Sequence, residues 1–167
     1  MDTVEQVAEF MRSRGLLLVT AESCTAGLIA ATLGDVPGAG KLLDCAFVAY
    51  SVDAKRRNLG VRDSTLRQYN LTSEEVAREM AQGALHGTRA NLAISNTGVV
   101  DDTDSRIPAG TQCFAWVFRK PAANAESVGG ALEVFSETRV FQGDRTAIRQ
   151  ASAHYALLRI PYYHARL

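Results

Sequence analysis

The chain is predicted to fold as a layered α/β protein around a mixed β-sheet. Three observations point there. Short apolar runs alternate with segments of helical period, the sequence form of strands layered with helices. The first apolar run leaves through small and hydroxyl residues directly into a helix-forming stretch. Late in the chain, two runs read as antiparallel neighbours rather than as strands joined through a helix.

Val4, Val7, Ala8 and Met11 recur at helical spacing, so residues 2–14 read as an amphipathic helix ending before Gly15. Residues 16–20, Leu-Leu-Leu-Val-Thr, read as a buried strand. Ala21 to Gly27 form the turn that follows, and residues 28–33 a second helix. Asp35-Val36-Pro37-Gly38 is a turn, residues 45–50 a second strand and residues 52–59 a short helix stopped by Gly60. A turn or short helix is expected around 63–69. Ser73 opens the clearest helix, capping it while Glu74 and Glu75 complement its dipole, with Val76, Met80 and Ala84 on one face through to about Arg89. Residues 91–95 form a third strand, which leads through Asn96-Thr97-Gly98 into an acidic loop reaching Gly110. The alternation of Cys113, Ala115 and Val117 makes 111–119 a fourth strand. Residues 121–130 are read as a flexible link to a fifth strand near 132–141. Asp144 caps a last helix bearing Ile148, Ala151, Tyr155 and Leu158 on one face.

The 167 residues fit one domain, 1–167, and with 47% hydrophobic and 22% charged side chains they can bury a substantial core. Eighteen basic and eighteen acidic side chains cancel, which argues against nucleic-acid binding driven by overall charge. No apolar run has the length to span a membrane, and the first residues lack the basic start and apolar stretch of a signal peptide. Cys24, Cys45 and Cys113 are widely spaced, and His86, His154 and His164 are scattered. Neither a disulfide framework nor a metal site is expected. A cytoplasmic location without membrane or nucleic-acid partners follows from these features together.

Chemistry is sought in Thr20 to Gly27. One reading is a plain helix N-cap, since Ser and Thr serve that purpose widely. The other makes Ser23 a nucleophile at a strand's carboxyl end, where backbone N–H groups of residues 24–27 and the helix dipole could stabilise an oxyanion. Cys24 is a rival nucleophile, although a thiol usually needs a His or cationic partner. A serine also needs a base. The histidines suggest none, whereas Lys55 could serve if burial or the adjacent Arg56 and Arg57 lower its pKa. A blander reading has Lys55 decorate an exposed helix face, and Ser51, four residues before it, is a second candidate hydroxyl. Gly38-Ala39-Gly40-Lys41 is not a P-loop, because that motif requires Gly at 35 and Ser or Thr at 42, where the chain has Asp and Leu.

Several segments, in order, resemble the CinA C-terminal domain family of nicotinamide mononucleotide deamidases. They are Thr20-Ala21-Glu22-Ser23-Cys24-Thr25-Ala26-Gly27, Asp35 to Gly38, Val48-Ala49-Tyr50-Ser51 with Ala54-Lys55, and Leu59-Gly60-Val61. Ser73 to Ala81, Ala93-Ile94-Ser95, Thr97-Gly98 and Phe141 to Arg145 continue the match, which runs over about residues 5–160. The resemblance implies a three-layer α/β/α sandwich, a homo-oligomer and no cofactor or metal. It also implies hydrolysis of a pyridine mononucleotide's carboxamide to the acid and ammonia. By position, Ser23 matches the nucleophile, Lys55 the general base, and Tyr50 a hydroxyl able to relay a proton or orient the pair. Thr25, Ala26, Gly27, Thr97 and Gly98 fall where substrate contacts are expected, and Arg145 is assigned to the substrate phosphate.

Three positions depart from the family pattern. Thr25-Ala26-Gly27 stands for Thr-Gly-Gly, and Tyr50-Ser51-Val52 for Tyr-Ser-Asn. A glycine-rich loop becomes Gly98-Val99-Val100-Asp101-Asp102-Thr103-Asp104-Ser105-Arg106, whose aspartates would repel a phosphate unless Arg106 offsets them. Two readings therefore stand: an active amidohydrolase, or a non-catalytic relative that binds a ligand or partner through an altered pocket.

Overall fold

A computed structural model describes residues 2–121 and 130–167. Five strands line up in the order β2-β1-β3-β4-β5, with β1 Leu18–Glu22, β2 Leu43–Val48, β3 Leu92–Gly98, β4 Thr111–Arg119 and β5 Leu132–Val140. β1 pairs in parallel with both β2 and β3, while β3–β4 and β4–β5 are antiparallel. The sheet is therefore mixed, as expected, and the last two strands are antiparallel neighbours. All but the two end residues of the link read at 121–130 lie outside the described residues.

The alternation of side chains sorts the helices into two layers. Leu18, Leu92, Ile94, Phe114, Trp116 and Phe118 point to one face and meet α1 Val4–Ser13, α2 Leu28–Gly34, α6 Arg145–Leu158 and α7 Ile160–His164. Their neighbours Val19, Ala21, Ala93, Cys113, Ala115 and Val117 point to the other, where α3 Val52–Leu59 and α5 Glu74–Leu85 pack and α4 Asp63–Gln68 flanks them. Small residues on that side let the Ala-rich face of α5, with Ala77, Ala81 and Ala84, approach the strands closely. The large aromatics fill the opposite layer, where the indole N–H of Trp116 donates to the Ala156 carbonyl. This is the three-layer α/β/α sandwich.

Two strands reach further than their apolar runs suggest. β1 starts at Leu18 and continues past Thr20 to Glu22, because the polar side chains of Thr20 and Glu22 satisfy one another inside the sheet, the Thr20 hydroxyl donating to Glu22 at 2.8 Å. β3 likewise runs through Asn96 and Thr97, whose side chains donate to Gln112 and to the Leu71 carbonyl. β2 lies two residues earlier than its apolar pattern suggested. The caps expected at Ser73 and Asp144 are present, each accepting a backbone N–H three residues on. α5 ends at Leu85 rather than Arg89, and α7, with Pro161 in its first turn, had no counterpart in the reading of the sequence.

The topology sets the site. β1 feeds α2 on one face, whereas β2 feeds α3 and α5 on the other, so the chain parts above the carboxyl ends of these adjacent strands. Open α/β sheets place ligands at such a switch point.

Candidate active site

Ser23 follows the last residue of β1 directly. Its N–H donates to the Asn96 carbonyl and the Ala49 N–H donates to the Glu22 carbonyl, so the ladder holds the chain on both sides of the turn. From β2, Ala49 and Tyr50 lead to α3, capped by Ser51, whose hydroxyl accepts the Ala54 N–H at 3.0 Å. One turn into α3, Lys55 points back over the strand ends. Its amine lies 2.9 Å from the Ser23 hydroxyl, 3.0 Å from the Ala49 carbonyl and 2.9 Å from the Tyr50 carbonyl. Ser51 is thus a helix cap, and Ser23 is the hydroxyl that Lys55 meets.

Lys55 is only 2% exposed and forms no ion pair among the described residues, which rules out the surface-decoration reading. Burial pulls its pKa down from 10.5 to about 8. The adjacent arginines, read in the sequence as a possible cause, are not what lowers it. Arg56 and Arg57 point to solvent and pair with Asp53, with Arg56 also reaching Asp63. When Lys55 is neutral, two N–H groups satisfy the two carbonyls and the lone pair faces Ser23, whose hydroxyl then donates. Ser23 is 8% exposed, buried beside its partner yet open at one edge.

The turn itself is held by a residue the sequence reading passed over. Glu22, fully buried, accepts hydrogen bonds from the Thr20 and Thr25 hydroxyls and from the N–H groups of Gly27, Ile29 and Ala30. It satisfies the start of α2 from outside the helix, so neither Ser23 nor Thr25 is its cap. Thr25 is buried and its N–H goes to the Asn96 side chain. The Ala26 N–H goes to the Ser23 carbonyl and the Leu28 N–H to the Thr25 carbonyl. Of the N–H groups at 24–27 considered for an oxyanion, only that of Cys24 has no acceptor among the described residues. The Cys24 thiol is buried, accepts from Gln112 and is pushed up in pKa by that burial, which disfavours the thiolate a nucleophile requires. Arg149 of α6 donates to the carbonyls of Cys24 and Thr25 at 2.9 and 3.2 Å.

The other residues singled out from the sequence fall around this centre unevenly. Tyr50 is 62% exposed, and its carbonyl rather than its hydroxyl touches Lys55. Ala26 has φ +47°, the only non-glycine with positive φ among the described residues, and Gly27 follows at +96°. The family's Gly-Gly suits that backbone, and the Ala26 methyl is strained there. Thr97 is buried with its hydroxyl on the Leu71 carbonyl, and at Gly98 a Cβ would overlap the Gln112 carboxamide. Both hold β3 against its neighbours. Arg145 forms an exposed ion pair with Asp101 at 3.0 Å. Asp104 is held by Arg106 and Asn70, which keep its carboxyl far below the usual range, so Arg106 offsets an aspartate of its own loop. Among the described residues, no group of three or more His, Cys, Asp or Glu is placed to hold a metal ion, and no helix is long and apolar enough to cross a membrane.

The family model of the CinA C-terminal domain matches residues 1–162. The chain belongs to the CinA C-terminal domain family. The CinA match extends to a nicotinamide-nucleotide amidohydrolase, PncC, of Escherichia coli, 37% identical over 159 residues that make up 94% of this chain and 90% of that protein. A CinA-like protein of Chlorobium phaeobacteroides is 40% identical over 143 residues, 84% of this chain but 32% of its own length. The crystal structure of a CinA superfamily protein from Klebsiella pneumoniae 700603 superposes with a TM-score of 0.86 at 32% identity, covering 98% of this chain and 96% of that one.

Proposed function

We propose that this CinA-family chain is an amidohydrolase that converts nicotinamide mononucleotide to nicotinic acid mononucleotide and ammonia. The substrate class follows its PncC relatives, named nicotinamide-nucleotide amidohydrolases, and the chemistry follows one observation. A buried lysine, with two of its hydrogens engaged by backbone carbonyls, stands 2.9 Å from a serine hydroxyl at a strand terminus.

In the first half-reaction, neutral Lys55 takes the Ser23 proton while the oxygen attacks the amide carbon, and the Cys24 N–H faces the oxygen that becomes negative. The C–N bond then breaks as Lys55 returns the proton to the leaving nitrogen, releasing ammonia. In the second, water gives its proton to Lys55 and attacks the ester. Carboxylate departs as Ser23 is reprotonated. Arg145 is the group assigned to the phosphate, in competition with Asp101, and Tyr50 to the outer wall. Thr25, Ala26 and Gly27 shape the floor. Thr97 and Gly98 act behind it.

We place the enzyme in the cytoplasm as one domain spanning 1–167 and as a homo-oligomer. Self-association is supported by the exposed Val48, Tyr50 and Val52 beside the site, apolar surface that a second copy would cover. The test is ammonia release from nicotinamide mononucleotide. Ser23→Ala and Lys55→Met are each expected to lower kcat at least about 10³-fold, with Cys24→Ala retaining turnover. Turnover that survives Ser23→Ala would move the nucleophile elsewhere. The second reading, binding without catalysis, is favoured by the ion pair that occupies Arg145. It gains if the mononucleotide raises Tm yet no ammonia forms.

A further inference from the structure

We infer that Arg149 is a positioning residue for catalysis, holding the turn after β1 so that the Cys24 N–H stays the turn's free donor at Ser23. The inference deepens the amidohydrolase reading and rests on it. Each peptide group of the turn has a defined partner. The Ser23 carbonyl accepts from Ala26, the Thr25 N–H is held by Asn96, and the Gly27 N–H is held by Glu22. The Cys24 N–H belongs to the Ser23–Cys24 peptide, and joined to it across the Cys24 Cα is the Cys24–Thr25 peptide. Its carbonyl is held by the Arg149 Nε at 2.9 Å, and the next carbonyl by another nitrogen of the same guanidinium at 3.2 Å.

A planar fork that grips two successive carbonyls fixes the angle between their peptides, which a single donor cannot do. Arg149 lies on α6, 125 residues along the chain, and is the described side chain that ties this helix to the carbonyls beside the nucleophile. Asn96 grips the same peptide from the opposite side through its N–H. Without Arg149, the Cys24–Thr25 peptide would keep only its Asn96 contact and could tilt about it, and that motion, passed through the Cys24 Cα, would shift the Cys24 N–H from the serine. The remaining contacts would still bury the turn. The loss should therefore fall on stabilisation of the developing oxyanion rather than on substrate binding or folding.

Phosphonylation of Ser23 by a small alkyl fluorophosphonate tests this without reliance on the natural amide. The serine oxygen bonds to phosphorus, fluoride leaves, Lys55 takes the hydroxyl proton, and intact-mass spectrometry reads the adduct. The wild type is expected to label. Arg149→Met should label about 10²-fold more slowly. Arg149→Lys, which restores one donor, should recover part of that rate. The pH midpoint of labelling should stay the same in all three, because Lys55 is untouched. With nicotinamide mononucleotide, kcat should fall in parallel while KM changes by less than about threefold. Labelling of Arg149→Met at the wild-type rate, or no gain in Arg149→Lys over Met when both give native circular dichroism, would overturn the inference, as would a wild type that never labels. A wild type that labels normally, with the Arg149 pattern intact but no ammonia release from the mononucleotide, would instead overturn the substrate assignment alone.

Discussion

Lys55 offers the sharpest quantitative test, and pH is the perturbation. A base must be neutral to accept the Ser23 proton. With a pKa of about 8, Lys55 is roughly one-tenth neutral at pH 7 and roughly nine-tenths neutral at pH 9. The ratio gives a rise in kcat/KM of about tenfold between these values, levelling off above pH 9. A lysine at its ordinary 10.5 would instead be about 0.03% neutral at pH 7 and still climbing at pH 9, a rise of about a hundredfold. The shift has a structural cause: the amine is buried, no carboxylate among the described residues pairs with it, and its hydrogen-bond partners carry no charge. The assay is coupled ammonia detection under subsaturating nicotinamide mononucleotide from pH 6 to 10, at constant ionic strength. The limiting slope below the midpoint should be one decade per pH unit. A flat profile across pH 7–9, or a midpoint near 6.5 that reports an imidazole, would refute Lys55 as the base.

The same burial links pH to stability. Lys55 binds its proton more weakly folded than unfolded, so between about pH 8 and 10.5 the unfolded chain holds the extra proton and wild-type stability gains with rising pH. Urea melts of wild type and Lys55→Met across that window should show the gain in the wild type only; equal slopes would contradict it. Ala26→Gly should stabilise by about 0.5–1 kcal/mol, since relief at φ +47° exceeds the entropy that glycine costs, and thermal denaturation reads it. Asp101→Asn should lower KM for nicotinamide mononucleotide a few-fold at unchanged kcat. The exposed ion pair it removes contributes at most about 1 kcal/mol, and steady-state kinetics at low and high salt would show the competition. Gly83→Ala would drive a methyl into the Leu59 carbonyl at the seam between α5 and the helix bearing Lys55. Loss of about 3 kcal/mol or more is expected in urea melts, because backbone on both sides must shift; an unchanged midpoint would mean the seam is loose.

Local signals were legible in the sequence and tertiary ones were not. β4 showed its two-residue alternation, and Ser73 and Asp144 announced their helices, because a strand face and an N-cap are properties of adjacent residues. Ser23 and Lys55 could be singled out by residue type and by their match to a family. Their 2.9 Å contact spans 32 residues, and no spacing encodes it. Lys-Arg-Arg suggested a cationic cluster, but the helix turns each successive side chain by about 100°, so Arg56 and Arg57 reach solvent while Lys55 goes inward. Glu22 was passed over because an acidic residue ending an apolar run reads as the strand's exit to solvent. Only the five donors assembled around it make its burial tolerable. The Ser-Cys-Thr turn suggested many free N–H groups, whereas Asn96, Glu22 and the Ser23 carbonyl accept all but one of those at 24–27 among the described residues.

Glu22 and Lys55 also define each other's roles. Glu22 ends β1 one residue before Ser23, and Lys55 reaches that serine from α3, so two buried side chains able to carry opposite charges serve one turn. They do not pair among the described residues. Glu22 is turned toward α2, where two hydroxyls and three backbone N–H groups occupy its oxygens. Lys55 is left with uncharged acceptors alone. Were the carboxylate to reach the amine instead, it would favour the protonated form, raise the lysine pKa and leave Ser23 without a base near neutral pH. On the proposed mechanism, the start of α2 therefore does more than present Ser23: by engaging Glu22 it keeps that carboxyl turned away from Lys55. The two threonines that complete that engagement, Thr20 and Thr25, would support the proposed Ser23–Lys55 pair through electrostatics, without any need to touch the substrate.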